Sequence, residues 1–283
     1  MRRMASDPKT ATVNMPLVSA RPQFMPGWRR KSPHFRSTAA ASTIAPVYIR
    51  GVTFADGGRM TGYPPRTGYY TKGCWTVRGH HPAYMEAGAG LVGSPGQERL
   101  LCTFDVSDAT GDAAADLIIG GRLFYSNASW VNMQIVTIGA GTVRHDAANT
   151  ITTFPMRIQE GLWLLAANGS TSAANALSLE GGAVGVAPAC TNAFGAVTLA
   201  DGTSNGVTLG DAGALAFDSL AIGAGATLNI TAPSKAEALR VGTAKTLTKA
   251  QLLAIRINGG KVFQDGLGYL REKPPFGTVL TLR

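Results

Sequence analysis

The stretch that decides the fold is residues 177–230, LSLEGGAVGVAPACTNAFGAVTLADGTSNGVTLGDAGALAFDSLAIGAGATLNI. Within it an apolar residue, any residue and a second apolar residue recur as a short unit, and Gly, Asn, Asp or Ser fills most of the gaps. The units are Leu177-x-Leu179, Val184-x-Val186, Val197-x-Leu199, Val207-x-Leu209, Leu215-x-Phe217, Leu220-x-Ile222 and Leu228-x-Ile230. Alternation with a period of two predicts half-buried strands, and the gap residues favour tight turns.

Two architectures can accommodate many short strands separated by turns. A sandwich or barrel uses longer strands, whereas a solenoid stacks coils that each contain two or three short strands. The units here are very short, and small residues fill much of the remaining sequence. A narrow coil interior needs only one or two apolar side chains per strand, while two facing sheets usually require larger ones. The pattern therefore favours an all-β solenoid.

Composition excludes several other classes of protein. The chain has 283 residues, of which 45% are hydrophobic and 15% charged, with 35 glycines. The longest apolar run, residues 162–167, is far shorter than a membrane-spanning helix, so no membrane span is expected. The three cysteines are too far apart to indicate a disulfide framework or a metal-binding knuckle. No basic and apolar signal peptide is visible at the N-terminus.

Charge and composition divide the chain into four segments. Residues 1–45 are rich in Pro and Arg and are expected to form a disordered basic leader, followed by an irregular β-rich region at 46–99. Residues 100–231 form the Gly-rich repeat region. Residues 101–231 contain three Arg, no Lys and ten acids. Because the regular region is acidic, nucleic-acid binding is not expected despite a net charge of +9.

The fourth segment, residues 232–283, is expected to cap the last coil, since an open solenoid end exposes apolar side chains and strand edges. Thr248-Lys249-Ala250-Gln251 fits a helix capping box, and the following Leu252, Leu253 and Ile255 predict a helix of about two to three turns. Ser234–Glu237 matches the same box. Closing strands are predicted at residues 261–263, 268–270 and 278–282.

Part of the repeat region resembles the autotransporter-associated β-strand repeat, whose pattern runs G-x-G-T-L, N-T-Y and T-x-V-x-x-G-x-L. The matching residues are Gly139, Gly141, Thr142, Asn149, Thr150, Gly161 and Leu162. Val143 and Ile151 depart from the pattern, as does Pro155-Met156. The resemblance implies a right-handed parallel β-helix from a bacterial surface or secreted protein, with these seven residues in structural roles. It also implies an extracellular or cell-surface location. No segment after Ile230 has room for a translocator barrel.

The candidate chemical groups are better explained as structural. His80 and His81 are adjacent and would point in opposite directions on a strand, so they and the isolated His34 and His145 are expected at surfaces or turns. The acids of residues 105–116 do not fit a calcium loop and are expected in a solvated loop. Trp130, Trp163 and Phe217 are expected to pack in the core or at coil ends.

These observations predict a non-enzymatic structural or adhesive surface protein without cofactor or metal, whose partners are cell-surface components or glycans. The alternative is a carbohydrate-binding or polysaccharide-degrading β-helix. That alternative requires two carboxylates on one open groove, and Glu180, Asp201, Asp211 and Asp218 are the candidates. A weaker third option is binding of an anionic polymer through the N-terminal arginines.

Overall fold

A computed structural model of the chain describes residues 48–49, 51–60, 66–67, 73–86, 89–91, 100–125, 133–148, 154–233 and 239–273. These residues form β-strands and one short helix. In chain order the elements are β1 (Tyr48–Ile49), β2 (Gly51–Ala55), β3 (Arg59–Met60), β4 (Arg66–Thr67), β5 (Gly73–Arg78), β6 (Ala83–Met85), β7 (Ala89–Leu91), β8 (Leu100–Val106), β9 (Leu117–Ile119), β10 (Leu123–Tyr125), β11 (Met133–Ile138), β12 (Thr142–His145), β13 (Met156–Ile158), β14 (Leu162–Leu165), β15 (Leu177–Leu179), β16 (Ala183–Val186), β17 (Thr191–Leu199), β18 (Ser204–Leu209), β19 (Ala214–Ile222), β20 (Thr227–Thr231), β21 (Leu239–Val241), α1 (Lys249–Leu253), β22 (Ile255–Ile257), β23 (Gly260–Gln264) and β24 (Leu270–Glu272).

The strands form three sheets, and the chain visits them in a fixed rotation. Sheet A contains β1, β4, β7 and β10; sheet B runs β2-β5-β8-β11-β13-β15-β17-β19-β21; sheet C runs β3-β6-β9-β12-β14-β16-β18-β20-β22-β23-β24. Up to β12 the chain passes from A to B to C in each coil, and afterwards it alternates between B and C. Neighbouring strands from successive coils pair in parallel. The predicted all-β parallel solenoid is therefore confirmed.

Parallel register places equivalent side chains directly above one another from coil to coil. In sheet C one buried column runs Ala83, Leu117, Val143, Trp163, Val184, Val207, Ile230 and Ile257. In sheet B the rings of Phe54, Trp75 and Phe104 stack in successive coils, with centroids 6.2 and 6.3 Å apart. Trp163 meets Phe104 edge-on across the interior at 5.4 Å. The coils thus share one continuous apolar core.

Residues 51–86 already belong to this stack. β2 and β5 pair with each other, and β5 pairs with β8, so sheet B continues across residue 100 in one register. In sheet C, β3 and β6 pair in the same way. The predicted leader at residues 1–45 lies outside the described residues.

The C-terminal end closes with the predicted helix and strands. Thr248 caps α1, and its hydroxyl and the Gln251 side chain satisfy each other's backbone N–H groups, as the capping box predicts. The predicted length was wrong, because α1 ends at Leu253. Ile255 instead begins β22 and pairs with Leu228, which buries its side chain against the last coil.

After β22 the chain turns back on itself, and the β22–β23 and β23–β24 pairs are antiparallel. β23 and β24 correspond to two of the predicted closing strands, with β24 beginning at Leu270 because Gly268 adopts φ +88° in the turn before it. The predicted strand at residues 278–282 and the second capping box at Ser234–Glu237 lie outside the described residues.

The stacked core predicts a sharp contrast between two adjacent residues of β14. Trp163 is fully buried between Val143 and Val184, whereas Leu164 points outward and is partly exposed. Trp163→Ala should lower the free energy of unfolding by about 3–5 kcal/mol, and Leu164→Ala by about 1 kcal/mol or less. Urea denaturation of both variants measures this difference. Equal losses would contradict the assignment of Trp163 to the interior.

Candidate functional site

The turns that lead from sheet B to sheet C share one backbone feature. Each contains a glycine with positive φ, a conformation that a Cβ atom disfavours. These glycines are Gly57, Gly79, Gly111, Gly139, Gly161, Gly181, Gly202 and Gly225. From Gly139 to Gly225 they are separated by 22, 20, 21 and 23 residues, which is the length of one coil. This period was not predicted, although the glycine spacing in the sequence carries the signal.

The structure brings five of the seven predicted motif residues together at two stacked turns. A Cβ atom on Gly161 would collide with the carbonyl oxygens of Gly139 and Gly141 in the coil before it. Leu162 begins β14 directly after this turn, pairs with Thr142 at the start of β12, and donates its N–H to the Gly141 carbonyl at 3.2 Å. Close approach of the two backbones therefore requires glycine here.

The remaining two motif residues, Asn149 and Thr150, lie outside the described residues. Gly141 itself has no room for a Cβ atom, which would meet the Ser107 carbonyl oxygen of the preceding coil.

Asp116 holds the turn between β8 and β9. One of its carboxylate oxygens accepts hydrogen bonds from the N–H groups of Ala109 and Thr110 at 2.7 and 2.9 Å and from the Thr110 hydroxyl at 3.1 Å. The other accepts the N–H of Thr142 in the next coil at 2.7 Å. Asp116 is only 1% exposed. The expectation of a solvated loop is therefore wrong for this residue, because its carboxylate replaces water for four donors.

The other acids of this loop also have protein partners. Asp105 forms an ion pair with Arg78 of the preceding coil at 2.6 Å. Asp108 and Asp112 are exposed, and each accepts a local backbone N–H. Among the described residues no group of three or more His, Cys, Asp or Glu side chains could hold a metal ion.

Side-chain amides that were not predicted from the sequence link successive coils at their bends. Asn175 donates to the Phe154 carbonyl at 3.2 Å, and Asn205 accepts the Gly181 N–H at 2.9 Å. The Nδ2 group of Asn192 donates to the Ala167 carbonyl at 3.0 Å. Asn175, Asn192 and Asn205 are all buried. These bonds satisfy backbone groups where the chain leaves a sheet, which strand pairing cannot do.

The histidines fall into two groups. His80 and His81 are exposed, as predicted, and His34 lies outside the described residues. The surface or turn prediction is wrong for His145, which is 0% exposed in β12 and lies 6.4 Å from Trp163 between ring centroids. Burial lowers the pKa of His145 to about 4, against the opposing effects of the Gly121 carbonyl, 3.2 Å from Nε2, and of Asp146.

The candidate carboxylates of the repeat region lie on different elements. Glu180 follows β15 and Asp201 follows β17, whereas Asp211 lies in the turn before β19 and Asp218 within it. Asp201 accepts the Ala224 N–H of the next coil at 2.8 Å. Asp211 and Asp218 are exposed.

Glu180 is the most strongly engaged of these acids. Arg157 of the preceding coil donates Nε and Nη2 to its two oxygens, both at 2.7 Å, and Gln159 donates at 2.9 Å. The Arg157 hydrogen bonds hold the pKa of Glu180 below its usual value, although burial acts in the opposite direction. This bidentate pair stabilises the Glu180 carboxylate and disfavours its use as a general acid.

Some large apolar side chains lie in the core, and others are exposed in the C-terminal cap. Trp163 and Phe217 are buried in the core as predicted, and Trp130 lies outside the described residues. Three large hydrophobic side chains are exposed among the described residues, and all three, Leu253, Phe263 and Leu267, lie in the C-terminal cap.

No protein-family model matches the chain, and neither a curated protein nor a solved structure matches it. In the part of the chain that the structure describes, no helix has the length and apolarity needed to cross a membrane.

The stacked turns predict different costs for two glycines with the same backbone conformation. Gly161 and Gly202 adopt φ +70° and +69°, but a Cβ atom on Gly202 would have nothing within 4 Å. Gly202→Ala should therefore cost only the conformational strain, about 1–2 kcal/mol. Gly161→Ala should cost about 2 kcal/mol more, because two carbonyl oxygens must move. Denaturant midpoints measure both, and similar losses would contradict the proposed close approach.

His145 predicts a specific dependence of stability on pH. Because its pKa falls from 6.5 in the unfolded chain to about 4 in the fold, the unfolded state binds the proton more tightly. The contribution of His145 to the free energy of unfolding is then fully present above pH 6.5. It decreases by about 3 kcal/mol as the pH falls towards 4. His145→Leu should remove that contribution and reduce the slope of unfolding free energy against pH.

The control for this measurement is His81→Leu, because the His81 side chain is 68% exposed. Its slope should match that of the unmodified protein. If His145→Leu leaves the slope between pH 6.5 and 4 unchanged, the burial of a neutral imidazole at this position is wrong.

Proposed function

We propose that the chain is a non-enzymatic structural and adhesive protein of the bacterial surface or exterior, in which the β-solenoid serves as a stiff spacer that displays its outer faces. The single observation that carries the proposal is the stack itself. One apolar core and one set of parallel ladders run through successive coils, so bending the solenoid would break many backbone hydrogen bonds together.

The hydrogen-bond partners of the polar side chains favour a structural role over catalysis. Asp116, Asn205 and Asp201 form hydrogen bonds between coils, and Glu180 is held by Arg157. Glycoside hydrolysis requires two carboxylates that share one groove, one of them able to donate a proton. Glu180 is tied in its ionised form, which argues against the degrading alternative.

The outer faces also suit contact with other surfaces. In sheet B the outward column from β13 to β19 runs Arg157, Ser178, Thr198 and Ala221, and in sheet C Thr208 and Thr231 are exposed at outward positions. Apart from Arg157, which is paired with Glu180, these side chains are small or hydroxyl-bearing and uncharged. Such a surface can lie along a glycan chain, which is the partner class we propose.

To test this proposal, the purified full chain is incubated with a panel of bacterial and host polysaccharides. We expect retention of the protein on one or more immobilised glycans, without the appearance of new reducing ends or unsaturated products. Release of shortened chains would overturn the non-enzymatic proposal. In that case the variants Glu180→Gln, Asp201→Asn, Asp211→Asn and Asp218→Asn would identify the carboxylates responsible. Absence of binding to every glycan and to intact cells would overturn the adhesive part.

The folded solenoid provides the control for binding. Gly202→Ala keeps the turn geometry and should keep glycan retention, whereas Trp163→Ala, assayed above its lowered melting temperature, should lose it. Retention by both forms would indicate that glycan binding does not require the folded solenoid.

A further inference from the structure

The C-terminal cap carries a charge opposite to that of the repeat region. Residues 239–273 contain seven Lys or Arg and two acids, whereas residues 101–231 contain three Arg and ten acids. Basic and exposed apolar residues of this cap form what we call the cap surface, which comprises Lys249, Leu253, Arg256, Lys261, Phe263, Arg271 and Lys273.

Antiparallel pairing places the strand residues of the cap surface on one face. Arg256 lies opposite Lys261, and Phe263 lies opposite Arg271. Directly opposed residues of an antiparallel pair share a face, as do residues two apart on one strand. Burial agrees with this geometry, since Lys261 and Phe263 are exposed and the intervening Val262 is buried.

Helix α1 extends the cap surface at one edge. Lys249 and Leu253 are four residues apart and lie on the same side of the helix, which packs against β23. Leu253 is 57% exposed, and its carbonyl accepts a hydrogen bond from the Arg256 guanidinium at 2.7 Å. This bond connects the helix to the strand face.

The two acids of the cap neutralise only one base of this surface, Arg271. Asp265 pairs with Arg271 at 2.7 Å. Glu272 lies opposite the buried Val262, so its strand position belongs to the other face of the hairpin. The cap surface therefore combines several positive charges with exposed aliphatic and aromatic side chains.

We propose that the cap surface docks the C-terminal end of the solenoid onto an anionic lipid bilayer. Basic side chains are attracted to lipid phosphates, and exposed Leu and Phe side chains gain free energy by entering the boundary between headgroups and acyl chains. A polysaccharide or nucleic acid would satisfy the charges but offers no apolar phase for Leu253. The exposed fractions of Leu253 and Phe263, 57% and 39%, thus favour lipid.

The proposal is tested by flotation of the full chain with vesicles of phosphatidylcholine alone and with vesicles containing phosphatidylglycerol. We expect binding only to the anionic vesicles. Each base near the surface contributes a factor of about five, so Lys249→Gln with Lys261→Gln should weaken binding about 25-fold. The same positions changed to Arg should restore it.

A matched control removes two charges elsewhere. Arg29→Gln with Arg30→Gln lowers the net charge equally but leaves the cap surface intact, and should change binding little. The double variant Leu253→Ser with Phe263→Ser should weaken vesicle binding but keep the dependence of binding on salt. If the double variant has a lowered melting temperature, Leu253→Ser alone replaces it in this comparison. Melting curves of each variant establish that the fold is retained.

Several outcomes would overturn the proposal. These are equal binding to neutral vesicles, binding lost with the Arg29 and Arg30 changes, or no effect of the serine variants. Binding to heparin or DNA that exceeds vesicle binding would identify an anionic polymer instead. A cap variant that altered only sedimentation of the protein alone would identify a second copy as the occupant. The inference does not rest on the adhesive function, because polysaccharide cleavage would leave vesicle binding unaffected.

Discussion

The structure depends on hydrogen bonding between the backbones of successive coils. Each parallel ladder satisfies the N–H and C=O groups of one coil with those of the next, so the register must be kept at every bend as well as in every strand. Where a bend brings backbones together, a side chain would push the coils apart. Gly161, whose Cβ would meet two carbonyl oxygens, shows why glycine recurs there. Stacking thus explains glycine at such close approaches, whereas Gly202 serves the positive φ of its turn alone.

The parallel strand pairing also explains why some polar side chains are buried in the core. The Thr137 hydroxyl and the indole N–H groups of Trp75 and Trp163 are buried without a hydrogen-bond partner among the residues that the structure describes. Each such group costs about 1–3 kcal/mol. Because register is imposed by the neighbouring coils, a residue at an inward position stays inward whatever its polarity. His145 follows the inward Val143 by two residues in β12, so its side chain also points inward. Burial at this position keeps the imidazole neutral.

The strands were predictable because alternation of period two is a local property. The units at residues 177–230 coincide with strands, and the capping box at Thr248 marks the start of α1. Assignment of each strand to a sheet was not predictable, because it depends on pairing with residues about one coil away. The same limit explains Asp116, whose partner Thr142 lies 26 residues ahead. His145 was recoverable, since Val143-x-His145 continues the alternation of its strand.

The strands of the cap pair antiparallel, whereas the coils stack in parallel. The side chains on the outer face of the cap therefore need an explanation of their own. The β22–β24 hairpin occupies the last edge of sheet C, and the Gln264 amide bonds the Val241 carbonyl of sheet B at 2.7 Å. These contacts close the stack with inward groups alone. The outward side chains, Lys261 and Phe263 among them, lie on the other face, and the exposed large hydrophobic side chains of the described residues are grouped in this cap, whereas single scattered ones would need no explanation. Their juxtaposition is therefore better explained by something that the cap contacts than by the closure of the solenoid.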